Sequence, residues 1–162
     1  MRALVALTVF GGGVAHATLA PALRVAGVTP DLPLIVVVLL ALRRGPEFGC
    51  VAGLVAGLLQ DAAGGGLIGV QALTKAMIGF VIGAAGSRLR VTQPLVQVPG
   101  LVILTLAEGL VRFALLKMFH FPASFGDVMV YAVLPQALYN GFLGAALVVT
   151  LAWVESLRAR TL

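Results

Sequence analysis

The sequence predicts an all-α integral membrane protein, with six transmembrane helices in one bundle and both termini cytoplasmic. Three observations carry this. The chain of 162 residues is 60% hydrophobic and only 10% charged, with a mean hydropathy of +1.10, where a soluble domain carries charge on about a quarter of its residues. Its apolar residues gather into six runs divided by turns and charges. Its basic residues fall mostly at one end of the resulting layout.

The runs, in order, cover 3–23, 31–42, 46–61, 67–86, 95–116 and 128–154. A spanning helix needs roughly 20 mostly apolar residues. The first run fits. Its opening, with Arg2 followed by an apolar stretch and Ala15-His16-Ala17, is similar to a signal peptide. Gly11–Gly13 interrupt that stretch and the run continues past Ala17, so it is expected to stay as the first span. The second and third runs are short, parted by Arg43-Arg44-Gly45-Pro46, and form either two tilted short spans or a partly re-entrant hairpin. Asp31 stands where an N-cap belongs, with Pro33 tolerated in the first turn. Pro46 and Glu47 suit the start of the third helix, and Pro94 and Pro99 fall near the start of the fifth. Pro135 lies inside the sixth run and is expected to kink it.

Charge sets the orientation. Arg2, Arg43, Arg44, Arg88, Arg90, Arg158 and Arg160 fall on one side of a six-span layout, with Arg24 and Lys117 on the other. Seven against two places the first side in the cytoplasm.

Within the runs, Gly45, Gly49, Gly53 and Gly57 recur every fourth residue, and Asp61 continues the row. Such a row drifts by about 40° per step around a helix. Ala72, Ala76, Gly79 and Gly83 offer a matching set on the next helix. In lipid, small residues let two backbones approach closely. Gly49, Gly53, Gly57, Gly79 and Gly83 are therefore candidates either for packing of neighbouring helices or for a partner-binding groove. Glycines 64–66 read as a tight turn.

Apart from Asp31 and Glu47 at helix starts, the charges inside the runs are Asp61, Lys75, Glu108 and Arg112, which formally cancel. Each costs about 2.5–3.5 kcal/mol at the bilayer centre, so each should face protein and find a partner. Glu108 and Arg112 stand four apart with the acid first, the favoured order for a pair on one helix face. Asp61 and Lys75 are expected on adjacent helices, within reach of each other or of that pair. Gln71, Gln136 and Asn140 can complete the set. It can serve as a structural polar core, as a recognition surface for another membrane helix, or as a solute or proton path. Phe119, Phe121 and Phe125 around His120 read as an interfacial aromatic belt, with Tyr131 and Trp153 at the two ends of the last helix.

Other classes find little support. The basic residues are scattered rather than gathered on a face with interleaved aromatics, which argues against nucleic acid. The single Cys50 excludes an internal disulfide, and two histidines, His16 and His120, do not suggest a metal cluster. No catalytic triad spacing and no phosphate-binding glycine loop after a strand occurs, so neither an enzyme nor a cofactor is expected. No internal repeat suggests alternating access.

Two stretches carry a resemblance. "PDLPLIVVVLLALRRGPEFGCVAGLVAGLLQDAAGGGLIGVQALTKAMIGFVIG", residues 30–83, combines a proline-led short helix, a basic turn, a Gly-rich helix ending Leu-Leu-x-Asp and a following Leu-x-Gly. "LPQALYNGFLGAAL", residues 134–147, is similar to a proline-to-asparagine segment on a last helix. With these the chain resembles the MreD family of bacterial rod shape-determining membrane proteins. The resemblance implies a non-enzymatic inner-membrane scaffold of the cell-elongation machinery. Its implied partners are an MreC-like single-span protein, MreB-like filaments and the synthases of side-wall peptidoglycan. It also implies a six-helix fold similar to the substrate-binding subunit of energy-coupling-factor transporters. That kinship supplies the alternative, a vitamin-capture subunit. The outer connections at 24–30 and 62–66 are short, leaving 117–127 as the one candidate lid for such a role.

Overall fold

In the computed structural model the described residues are Gly11, Thr18, Ala22, Arg24, 27–64, 67–89, 94–120, 122 and 124–160. The run 3–23 lies almost wholly outside them, as do His16, Arg2 and Arg90. The regular architecture of the described residues is helical. Helix α1 is Leu32–Arg44, α2 Pro46–Gly64, α3 Val70–Leu89 and α4 Pro94–Met118. The last rod, α5, consists of three abutting pieces: α-helical Phe125–Val128, π-helical Met129–Val133 and α-helical Leu134–Arg160.

The ends of these helices follow from local chemistry. Asp31 caps α1, its Oδ1 accepting from the Leu34 N–H at 3.0 Å, which satisfies one of the orphan donors of the first turn. Arg43 and Arg44 lie inside α1's last turn rather than in a loop, where cations suit the negative helix end. Only Gly45 separates α1 from α2. Its φ of 91° belongs to the left-handed region, so glycine is the natural residue for so short a reversal. The fourth run begins as a helix at Val70 rather than at 67, because Leu67–Gly69 close the turn from α2, with Gly69 at φ 101°.

Pro135 disturbs the last helix in a specific way. Proline lacks the N–H of the i−4 bond and crowds the carbonyl one turn back. Here the widened π turn stands immediately before it, with the Leu134 N–H bonding to the Met129 carbonyl five residues back. The expected irregularity takes the form of a π turn, the kind of insertion often found at functional positions.

Helix α1 lies at the centre. One side packs Leu34, Ile35 and Val38 against Ile78 of α3 and Leu101 of α4, flanked by Leu104 and Leu143. Another packs Val37 against Ala52 and Ala56 of α2. Outward faces are apolar: Val51, Leu54 and Leu58 on α2, Leu73, Met77 and Phe80 on α3, and Leu138 and Phe142 on α5 are all exposed. The buried set includes Asp31, Asp61, Thr74, Lys75, Thr105, Glu108 and Asn140. A greasy exterior around a charged interior inverts the usual soluble arrangement and suits lipid. Pro99–Met118 and Phe125–Leu147 are long and apolar enough to cross a membrane, and Val70–Gly86 is a shorter apolar helix.

Candidate functional site

Lys75 anchors the interior. It lies in the second turn of α3, fully buried, and its ammonium has three donors to place. Nζ sits 2.7 Å from Asp31 Oδ2 and 3.4 Å from Glu108 Oε1. It also donates to Gln71 Oε1, one turn earlier on its own helix, at 2.8 Å. One lysine therefore ties the start of α1 to α3 and to the middle of α4.

Asp31 works in two directions. Its Oδ1 caps α1 while Oδ2 meets Lys75. Helix α1 has 13 residues, about 20 Å, less than the roughly 30 Å hydrocarbon core. Its capped end sits beside Glu108, ten residues from the Met118 end of α4, or about 15 Å along the helix. The chain thus begins α1 level with the middle of α4, and Thr29–Asp31 bring non-helical backbone there. Backbone groups at that depth need partners. Two side chains one turn apart on α5 supply them. Gln136 Nε2 donates to the Thr29 carbonyl at 3.1 Å, and Asn140 Oδ1 accepts from the Asp31 N–H at 2.8 Å. Asn140 Nδ2 then donates to Thr105 Oγ1 at 3.2 Å, and Thr105 donates to the Leu101 carbonyl at 2.9 Å.

Two expectations need correction. Asp61 does not meet Lys75. Its carboxylate accepts three main-chain N–H groups, from Gly69 at 2.8 Å, Gln71 at 3.1 Å and Ala72 at 3.2 Å. An acid at the end of α2 therefore caps the start of α3, where orphan donors and the positive helix end favour an anion. Among the described residues, Asp61 reaches the network through Gln71. Glu108 does not pair with Arg112 either. Glu108 turns to Lys75 across to α3, and Arg112 is half-buried with no ion pair among the described residues. Glu108 Oε2 is buried without a hydrogen-bond partner among those residues.

Sequence reasoning assigned Asp31 to the cap alone and overlooked Thr105. The signal for Asp31 was present: an acid between Pro30 and Pro33, ahead of an apolar run, begins a helix where water is scarce. Thr105 gave no signal, since a threonine in an apolar helix ordinarily bonds back to its own turn, as Thr74 does to the Val70 carbonyl at 2.6 Å.

The glycine row faces the neighbouring helix of the same chain. A Cβ on Gly49 would strike the Gly79 carbonyl, one on Gly53 the Lys75 carbonyl, and one on Gly57 the Ala72 backbone; Gly83 meets Gly45 and Pro46. The α2–α3 hairpin is closed backbone to backbone over its length, and Gly53 brings α2 against the turn that carries Lys75.

Chemically, this cluster holds helices in register. Its carboxylates and ammonium meet out of contact with solvent, with Glu108 Oε2 left over among the described residues. No group of three His, Cys, Asp or Glu side chains able to hold a metal occurs among the described residues.

The family model of the rod shape-determining protein MreD matches residues 1–157. The chain belongs to the MreD family. Searches of curated proteins and of solved structures found no match. MreD proteins are membrane-associated and take part in rod shape determination in a system with MreC and MreB, and they are not known as enzymes. In this MreD chain, the two stretches that carry the family likeness converge on one place. Residues 30–83 supply Asp31, Gln71, Lys75 and the glycine seam. Residues 134–147 supply Gln136 and Asn140, which hold the backbone where the first stretch begins.

Proposed function

We propose that this MreD chain is a non-enzymatic scaffold of the bacterial cell-elongation machinery. It is a single transmembrane domain of six helices in the inner membrane, with an energy-coupling-factor-like bundle and both termini cytoplasmic. It binds an MreC-like single-span protein and, with MreB-like filaments, positions the synthases of side-wall peptidoglycan.

The observation that supports this most is the use of the charges. Lys75, Asp31 and Glu108 lie on three different helices and are spent on one another with no exposed surface. Charges on a transport path must meet water or solute, whereas these fasten α1, α3 and α4 together. What remains for contact is an apolar exterior, the surface another membrane helix needs. Exposed Arg43 and Arg44 at the end of α1 support the cytoplasmic assignment of that end.

Affinity purification of the tagged protein from native membranes under mild detergent, followed by mass spectrometry, tests this. Recovery of an MreC-like protein with cell-wall synthases is expected. Recovery of a membrane coupling subunit with ATPases instead would overturn the scaffold reading in favour of solute capture.

A further inference from the structure

Glu108 is the loosest member of the interior cluster. Lys75 Nζ stands 3.4 Å from Glu108 Oε1 but 2.7 Å from Asp31 Oδ2 and 2.8 Å from Gln71 Oε1. The second Glu108 oxygen, Oε2, is buried and has no hydrogen-bond partner among the described residues. A buried acceptor left open in this way is costly. One turn along α4, Arg112 is half-buried and makes no ion pair among the described residues, and its charge acts on Lys75. An acid followed four residues later by a base shares its helix face, with the Cβ atoms about 5–6 Å apart.

The interior therefore holds an open acceptor and an uncommitted cation one turn apart. The guanidinium keeps its charge and presents a fork of N–H donors that fits a carboxylate. If Glu108 turns to Arg112, Lys75 retains its two closer acceptors, Asp31 and Gln71, while Arg112 gains its first among the described residues. As the cluster stands, one ammonium is fully buried against two carboxylates. After the exchange the four charges form two neutral pairs, Lys75 with Asp31 and Arg112 with Glu108, the grouping that an apolar surround favours.

We propose that Glu108 is a transferable acceptor, exchanging Lys75 for Arg112 and so untying the middle of α4 from α3. The other ties persist: Asp31 holds α1 to Lys75 of α3, and Asn140 holds α5 to the start of α1. Helix α4 alone is loosened, beside Gly109, where the contact is the side chain of Val133 rather than backbone. The exchange makes a releasable joint between the two hairpins, and it holds whichever partner the chain binds.

The test is a solid-state NMR distance measurement on the full chain in phospholipid vesicles, with Glu47→Gln and Glu155→Gln leaving Glu108 as the only glutamate. Its side-chain carboxyl carbon is isotopically labelled, and contact with labelled lysine or labelled arginine nitrogen is read in separate frozen samples. Both contacts are expected, with shares that add to one whole and an arginine share of about a tenth or more. Arg112→Gln should abolish the arginine share. Gln71→Met takes a close acceptor from Lys75, which then keeps Glu108 longer, so the arginine share should fall about twofold or more; this variant serves if Arg112→Gln folds poorly. Absence of any arginine contact before either substitution would overturn the proposal. So would full contact with both cations at once, which would make Arg112 a fixed member of the cluster. An arginine share that survives Arg112→Gln, or that Gln71→Met leaves unmoved, would overturn it as well.

Discussion

The α2–α3 and α4–α5 hairpins are both close-packed through glycine, but by opposite means. Along α2–α3, the three glycines of the α2 row face main chain: Gly49 against Gly79, Gly53 against Lys75, Gly57 against Ala72. Along α4–α5, three glycines are notches filled by side chains. Val133 fills Gly109, Val102 fills Gly141 and Leu101 fills Gly144. Backbones cannot yield without moving whole helices, whereas the end of a valine or leucine can turn aside. The first seam is therefore rigid and the second adaptable. Lys75 and Glu108 bridge them, one on each hairpin, with α1 wedged between.

The sharpest way to break this comparison is Gly53→Leu. A leucine there must push apart α2 and α3 at the turn carrying Lys75, and we expect loss of most folded protein and of any associated partner. Normal yield and normal complex recovery from detergent extracts would show that the seam tolerates displacement and is not rigid.

Next in size is the bridge. Glu108→Ala removes one acceptor of the buried lysine and should cost about 3–5 kcal/mol, the usual range when a buried ion pair loses a member. Arg44→Ala, at an exposed helix end, should cost less than about 0.5 kcal/mol. Melting of the detergent-solubilised variants compares them. Equal effects would mean that Glu108 is hydrated and that the hairpins are not joined through charge.

Asn140→Ala should fall lower, at about 1–3 kcal/mol, because it strands the Asp31 N–H in an apolar surround. Asn140→Asp keeps an acceptor for that N–H but adds a buried negative charge beside Asp31. The aspartate is expected to be at least as damaging as the alanine by the same melting assay. A harmless aspartate would place water at this position.

The smallest effect should come from Gly141→Ala, about 1 kcal/mol or less, since only Val102 must shift. Gly49→Ala makes the direct comparison, because its new methyl meets the Gly79 carbonyl, and it should cost several times more. Similar losses for the two alanines would erase the distinction between the seams.

Much of this was legible in the residues. Apolar runs broken by Gly45-Pro46 and by glycines 64–66 mark helices, since a chain in lipid must close its own backbone hydrogen bonds. The four-residue glycine row marks a close helix contact, because residues without a side chain let two backbones meet. Lys75 and Glu108 in apolar runs mark an interior, because lipid will not take them. These are local properties, carried by composition and spacing.

What spacing does not carry is partner choice. Two acids, Asp61 and Glu108, were expected within reach of Lys75, and the i, i+4 rule favoured giving Glu108 to Arg112. The tertiary structure decided otherwise because the strongest demands are non-local. The three open N–H groups at the start of α3 take Asp61. The start of α1 beside the middle of α4 places Asp31 beside Lys75, and its non-helical main chain claims Gln136 and Asn140 from the far end of the sequence. The sequence by itself determined that Asp61, Lys75, Glu108 and Asn140 had to be kept from lipid. Only the packing of α1 at the centre, where irregular backbone meets no water, determined which of them satisfied which.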